Sequence, residues 1–121
     1  MNHKDISRIA IKMIIAKNKI IEPMVDALNH HDLTECQYRA LSSIQRSGSS
    51  TLSELAHNCS MLSESLSRII PALKQRKLVD VNRKQDDRRA YQIKLSARGE
   101  RLLLAVEETL KGLSFIDINH E

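Results

Sequence analysis

One change of hydrophobic period, at Leu78, constrains this chain more than any other feature. Before it, Leu62, Leu66, Ile69, Ile70 and Leu73 recur at i, i+4, i+7, i+8 and i+11, the stripe of an amphipathic helix. After it, Val79 and Val81 alternate with Asp80 and Asn82, and Tyr91, Ile93 and Leu95 alternate with Gln92 and Lys94. Two such runs joined by the polar stretch Arg83–Ala90 predict a β-hairpin. Just upstream, Thr51-Leu52-Ser53-Glu54 is a capping box, in which hydroxyl and carboxylate each satisfy a backbone N–H of the first turn. It opens a short helix carrying Leu52, Leu55 and Ala56 that gives way at Asn58-Cys59-Ser60. A short helix, a tight turn, a longer helix and a hairpin together predict a helix-turn-helix followed by a β wing.

The flanking segments are helical. Thr34-Glu35-Cys36-Gln37 is a second capping box, ahead of Tyr38, Leu41 and Ile44, and Ser47-Gly48-Ser49-Ser50 reads as the loop that ends that helix. Ser96 caps a last helix carrying Leu102, Leu103, Val106, Leu110 and Leu113. At the start, Ile6, Ile9, Ala10, Met13, Ile14, Ala16, Ile20, Ile21, Met24, Val25 and Leu28 fill more than one helical stripe. Two apolar faces are expected, one for the chain's own core and one for another partner. Pro23 is expected to kink or divide this helix, because it lacks an N–H and crowds the preceding turn. The fold class is therefore mainly α with a small β-hairpin wing. The 121 residues suit one core, and an aromatic content of 2% makes that core aliphatic. So few aromatics also leave no stacking platform for single strands.

Charge is unevenly placed. Residues 68–101 carry eleven Lys and Arg against four Asp and Glu, while the rest of the chain carries eight against eleven. A basic third on a mildly acidic body predicts a surface for a polyanion. The stripe of the longer helix leaves Ser63, Glu64, Ser65, Ser67 and Arg68 on or beside its opposite face. Small hydroxyls permit close approach to a groove, and Arg68 can reach a guanine edge or a phosphate. At the hairpin tip, Asp87-Arg88-Arg89 cannot point three side chains one way. One Arg can be held by Asp87 while the other projects, flanked by Arg83 and Lys84, in a form suited to a narrow minor groove. The same residues also read as a solvated helix face and a stiffened turn.

The run from Leu33 to Leu104 resembles the MarR family of winged helix-turn-helix transcriptional regulators. The resemblance rests on Leu33-Thr34, Leu52-Ser53-Glu54-Leu55-Ala56, Ser65-Leu66-Ser67-Arg68-Ile69-Ile70 with Leu73, and Leu78-Val79. It closes with Asp87-Arg88-Arg89 followed, five residues later, by Leu95-Ser96-Ala97-Arg98-Gly99, similar to the family's wing signature. A shorter likeness, Pro23 with Leu33-Thr34-x-x-Gln37, resembles members controlling aromatic-acid catabolism.

The resemblance implies a homodimer built from the chain's ends and bound to double-stranded DNA. Residues 1–32 would be an N-terminal dimerisation helix, 33–96 the DNA-binding domain and 97–121 a C-terminal dimerisation helix, short for the family. Ser63, Ser65, Ser67 and Arg68 would face the major groove, and Arg83, Lys84 and Arg88 would serve the wing. Asp87 and Arg89 would hold the wing's shape. The implied activity is repression relieved by a small, often aromatic or phenolic, acid. Two positions depart from the pattern: Pro71 is expected to cost a backbone bond to Ser67 and bend its helix, and Lys77 stands where a helix-ending Gly is usual.

Other functions are less well furnished. No Gly-rich phosphate loop, nucleophile motif or carboxylate pair supports an enzyme, and no cofactor is expected. His30, His31 and Cys36, with Asp32 and Glu35 nearby, are the residues a metal-responsive regulator would use; Cys36 and Cys59 are those of a thiol-responsive one. A truncated, protein-binding winged helix that antagonises a longer paralogue is a further alternative. The apolar N-terminal stretch is broken by Lys12, Lys17, Lys19, Glu22 and Asp26, so no membrane span is expected, and a cytoplasmic location is.

Overall fold

The computed structural model describes residues 1–83 and 91–113. Six α-helices and one antiparallel hairpin follow in the order α1 (His3–Ala16), a π turn (Lys17–Ile21), α2 (Glu22–Asn29), α3 (Glu35–Ser47), α4 (Leu52–Cys59), α5 (Ser63–Gln75), β1 (Val79–Arg83), β2 (Tyr91–Leu95) and α6 (Ala97–Lys111). Leu28, Leu33, Leu41, Ile44, Leu55, Leu66, Leu73, Val79, Ile93, Leu103 and Val106 meet in one buried cluster. Every element from α2 onward contributes to it. Among the described residues, no helix is long and apolar enough to cross a membrane.

At Pro23 the N-terminal helix is divided into α1 and α2, but the helical backbone does not break. Instead, the preceding turn widens, with the Glu22 N–H donating to the Lys17 carbonyl five residues back. A π turn absorbs the missing donor and the ring's bulk by shifting the hydrogen-bond register. In addition, α1 buries no residue at all, and the face turned to the chain's own core begins only at Met24, Ala27 and Leu28. Ile6, Ile9, Ile11, Met13 and Ile14 are exposed.

Both expected capping boxes form. Thr34 accepts from the Gln37 N–H at 3.1 Å and Thr51 from the Glu54 N–H at 3.2 Å, with the reciprocal side-chain bonds at 3.1 Å each. Gly48 ends α3 at φ 79°, the left-handed region. The next residues do more than connect. Ser50 is fully buried, its N–H donating to the Ile93 carbonyl at 3.0 Å and its carbonyl accepting from the Ile93 N–H at 2.7 Å. A third, one-residue strand thus stitches the α3–α4 loop to the hairpin. The hairpin itself pairs Val79 with Leu95, Val81 with Ile93 and Arg83 with Tyr91.

Helix α5 runs through Pro71, which lies on the exposed side, while Leu66, Ile70 and Leu73 remain buried. Leu62 does not join that stripe. It is the extended residue before the helix and is 72% exposed, so its spacing to Leu66 is not a helical one. The helix closes without glycine. Lys77 takes φ 61°, and the Lys77 and Leu78 N–H groups donate to the Lys74 and Leu73 carbonyls at 2.9 and 3.0 Å. A left-handed non-glycine residue costs about 1–2 kcal/mol, partly offset by the lower chain entropy of a side-chain-bearing residue. Lys77→Gly is therefore expected to stabilise the fold by about 0.5–1 kcal/mol, seen as a raised denaturant midpoint at fixed protein concentration.

Candidate nucleic-acid interface

Helices α4 and α5 are joined by a turn whose shape is set by Ser60 at φ 53°, with the Met61 N–H donating to the Ala56 carbonyl at 3.0 Å. Arg39 fixes this turn to α3. Its guanidinium donates to the Cys59 carbonyl at 2.9 Å and to the Glu35 carboxylate at 2.9 Å. The Glu35 hydrogen bond holds the guanidinium above its ordinary pKa, against the opposing effect of burial. Arg39 thus occupies the last carbonyl of α4, which would otherwise lack a partner. Nothing local in the sequence signals this bond, because its partners lie twenty residues apart.

The exposed end of α5 carries the residues read from the sequence. Ser63, Ser67 and Arg68 are exposed, but Ser65 is half-buried beside Leu66. The Ser67 hydroxyl donates to the Glu64 carbonyl at 2.6 Å, leaving its oxygen to accept. Arg68 forms no ion pair among the described residues. The sequence reading overlooked one feature of this helix. Asn2, Thr34, Thr51 and Ser96 cap their helices, whereas the N-cap of α5 is Leu62, whose side chain offers no acceptor. The first N–H groups of α5 therefore face outward at the positive end of the helix dipole.

The hairpin packs directly against α5. Arg83 is exposed, its guanidinium carbon 5.8 Å from the centre of the Tyr91 ring, so the ring supports the cation at the end of β1. Lys84, Asp87, Arg88 and Arg89, the remainder of the expected wing set, lie outside the described residues.

Two of the residues weighed for metal or thiol sensing are engaged elsewhere. The His31 Nε2 lies 2.7 Å from the Thr109 hydroxyl, Glu35 is held by Arg39, and among the described residues no three His, Cys, Asp or Glu side chains converge on a metal-sized site. Cys59 is buried and Cys36 exposed.

Comparison with known proteins agrees with this geometry. The MarR family model matches residues 33–91. A Bacillus subtilis protein described as an uncharacterized HTH-type transcriptional regulator, YhbI, is 33% identical over 87 residues, covering 72% of this chain and 54% of its own length. The chain thus spans about half the length of that relative. Among solved structures, a mutant MarR from E. coli complexed with operator DNA superposes with a TM-score of 0.77 at 20% identity, over 88% of this chain and 76% of its own. NadR in complex with 4-hydroxyphenylacetate gives a TM-score of 0.74 at 23% identity, over 92% and 75%. At these identities the likeness is one of fold, and that fold is the winged helix.

Proposed function

We propose that this chain, whose residues 33–91 match the MarR family model, is a transcriptional regulator of that family acting on double-stranded DNA as a homodimer. Residues 33–96 form the DNA-binding unit, and segments 1–32 and 97–121 form the dimer. One observation carries this reading: α5, which packs against the hairpin, offers an uncapped N-terminus with Ser63, Ser67 and Arg68 exposed. Two such surfaces related by a two-fold axis suit successive major grooves of a pseudo-palindromic site. Arg83, Lys84 and Arg88 supply the salt-sensitive phosphate or minor-groove attraction of the wing, shaped by Asp87 and Arg89. Ser65 takes a lesser role than its neighbours because it is half-buried.

The regulation is repression, relieved by a small aromatic or phenolic acid. The 4-hydroxyphenylacetate held by NadR, a protein of the same fold, supports that effector class. Selection from a random DNA library, repeated with such acids present, tests both parts. A pool that never enriches a two-fold symmetric site counts against the regulator. An enriched site indifferent to every acid counts against the effector alone.

On the selected site, Arg68→Ala is expected to lose about 1–3 kcal/mol of affinity concentrated at one or two base positions, measured by competition among single-base variants. An equal loss on all sequences would make Arg68 a phosphate contact. Unchanged affinity would remove it from the interface.

A further inference from the structure

At the opposite end of α5 lies an open cleft of about 440 Å³ lined by Arg76, Leu78, Arg98, Arg101 and Leu102. Arg98 and Arg101 are three apart in α6 and share a face of that helix. Arg76 enters from the end of α5, so two elements bring three arginines to the lining of one cleft. None of the three has a carboxylate partner among the described residues. Like charges gathered without an acid repel one another, and a multivalent oxyanion relieves that repulsion while matching the guanidinium's paired donors. The cleft is also distant from the groove-facing end. The thirteen residues of α5 place it about 20 Å along the helix from Ser63.

Arg76 gives the cleft a link to the rest of the molecule. It donates to the Asp32 carbonyl at 2.7 Å and reaches the His31 carbonyl at 3.5 Å. That turn is strained, with Asp32 at φ 55°. It is held from its other side by the 2.7 Å contact of His31 Nε2 with the Thr109 oxygen. The Thr109 hydroxyl donates to the Ala105 carbonyl at 3.1 Å, so its oxygen accepts and His31 Nε2 carries the proton. The turn therefore joins the end of α5 to the outer part of α6, and an anion drawing on Arg76 competes with the carbonyls that hold it.

We propose that this cleft binds a small free oxyanion of the phosphate type, gripped by Arg98 and Arg101 with Arg76 as third donor, and that occupancy loosens the His31–Asp32 turn. An effect on DNA affinity rests on the regulator reading above; anion binding does not.

Thermal unfolding of the intact chain in sodium phosphate, against sodium chloride of equal ionic strength, tests the cleft. Phosphate at about 20 mM is expected to raise the midpoint by about 2–4 °C, and Arg98→Gln combined with Arg101→Gln to abolish that rise. A rise of equal size in the double variant overturns the proposal, as does a benzoate-induced rise matching that of phosphate. In phosphate-free buffer the double variant should bind DNA within about twofold of the parent, because the cleft lies outside the groove-facing surface. A tenfold loss would assign the two arginines to DNA and also overturn it. If the parent binds no DNA, the regulator reading fails by itself and the thermal measurement still decides the cleft.

Discussion

Replacing Gly99 with alanine is expected to destabilise the fold by about 3 kcal/mol or more, enough to lower the thermal midpoint by roughly 10 °C or beyond. Gly99 is the third residue of α6 and is buried. Its need for glycine is a matter of space, since its backbone is not in the left-handed region. A Cβ there would lie 2.1 Å from the Leu78 carbonyl oxygen and 3.1 Å from its carbon, both backbone atoms. The obstacle cannot swing aside, because the same carbonyl accepts the Ser96 N–H at 3.0 Å. Ser96 in turn caps α6 through the Gly99 N–H at 3.0 Å and donates its hydroxyl to the Lys77 carbonyl at 2.6 Å. Making room for one methyl group means parting α6 from the Leu78 backbone and loosening all three bonds. Far-ultraviolet circular dichroism melts of parent and variant at equal concentration measure the effect. A loss below about 1 kcal/mol would mean that the two backbones separate easily.

Gly99 also marks the boundary between what could and could not be read from the chain. Its place in Leu95-Ser96-Ala97-Arg98-Gly99 pointed to a family pattern, but the reason for the glycine lies in Leu78, twenty-one residues earlier in sequence. Features whose partners sit within one helical turn were legible. Thr34 with Gln37, Thr51 with Glu54 and Ser96 with Gly99 all form, because an N-cap and its partner are three residues apart whatever the fold. The two strands were legible because alternation is a pattern within each strand, needing no knowledge of the partner. Features that join distant residues were not legible. Ser50 is the clearest case: a serine in a Ser-Gly-Ser-Ser loop has no strand signature, yet it is fully buried by pairing with Ile93. Arg39 and Arg76 are similar, since each donates to main-chain carbonyls, which no side-chain pattern encodes.

At the site, the exposed face of α5 was visible in the spacing of Leu66, Ile70 and Leu73, and Ser63 and Arg68 followed from it. One error came from extending that spacing too far: Leu62 was counted into a helix that begins one residue later. Ser65, read as lying on or beside the exposed face, is half covered next to Leu66. Pro23 shows the opposite case. The local rule of a lost donor and a crowded turn was sound, but the chain met it with a wider turn rather than a break.

The largest effect on function is expected from α1, through Ile9→Gln combined with Met13→Gln. Helix α1 has no buried residue, and its own neighbour is the π turn that follows it. A 14-residue helix standing alone is marginal in water at about the 12–15-residue limit, so its order depends on something packing against it. Ile6, Ile9 and Met13 lie three and four residues apart on one face, and Leu104 is exposed on α6. In the proposed homodimer a two-fold axis presents this face to its own copy, so each substitution acts twice. Four apolar side chains at about 1.5–3 kcal/mol apiece put the loss at about 6 kcal/mol or more, enough to give a monomer at micromolar concentration by light scattering. Glutamine keeps the net charge and the helix propensity, so electrostatic attraction to DNA and the helix itself are preserved. Operator affinity should nonetheless fall by two orders of magnitude or more, because each half-site must then be bound without the advantage of linkage. The cluster from Leu28 to Val106 contains no α1 residue, so the monomer should still unfold cooperatively. A variant that remains dimeric with full operator affinity would require another surface to join the two chains, and the exposed face of α1 would then need a different occupant.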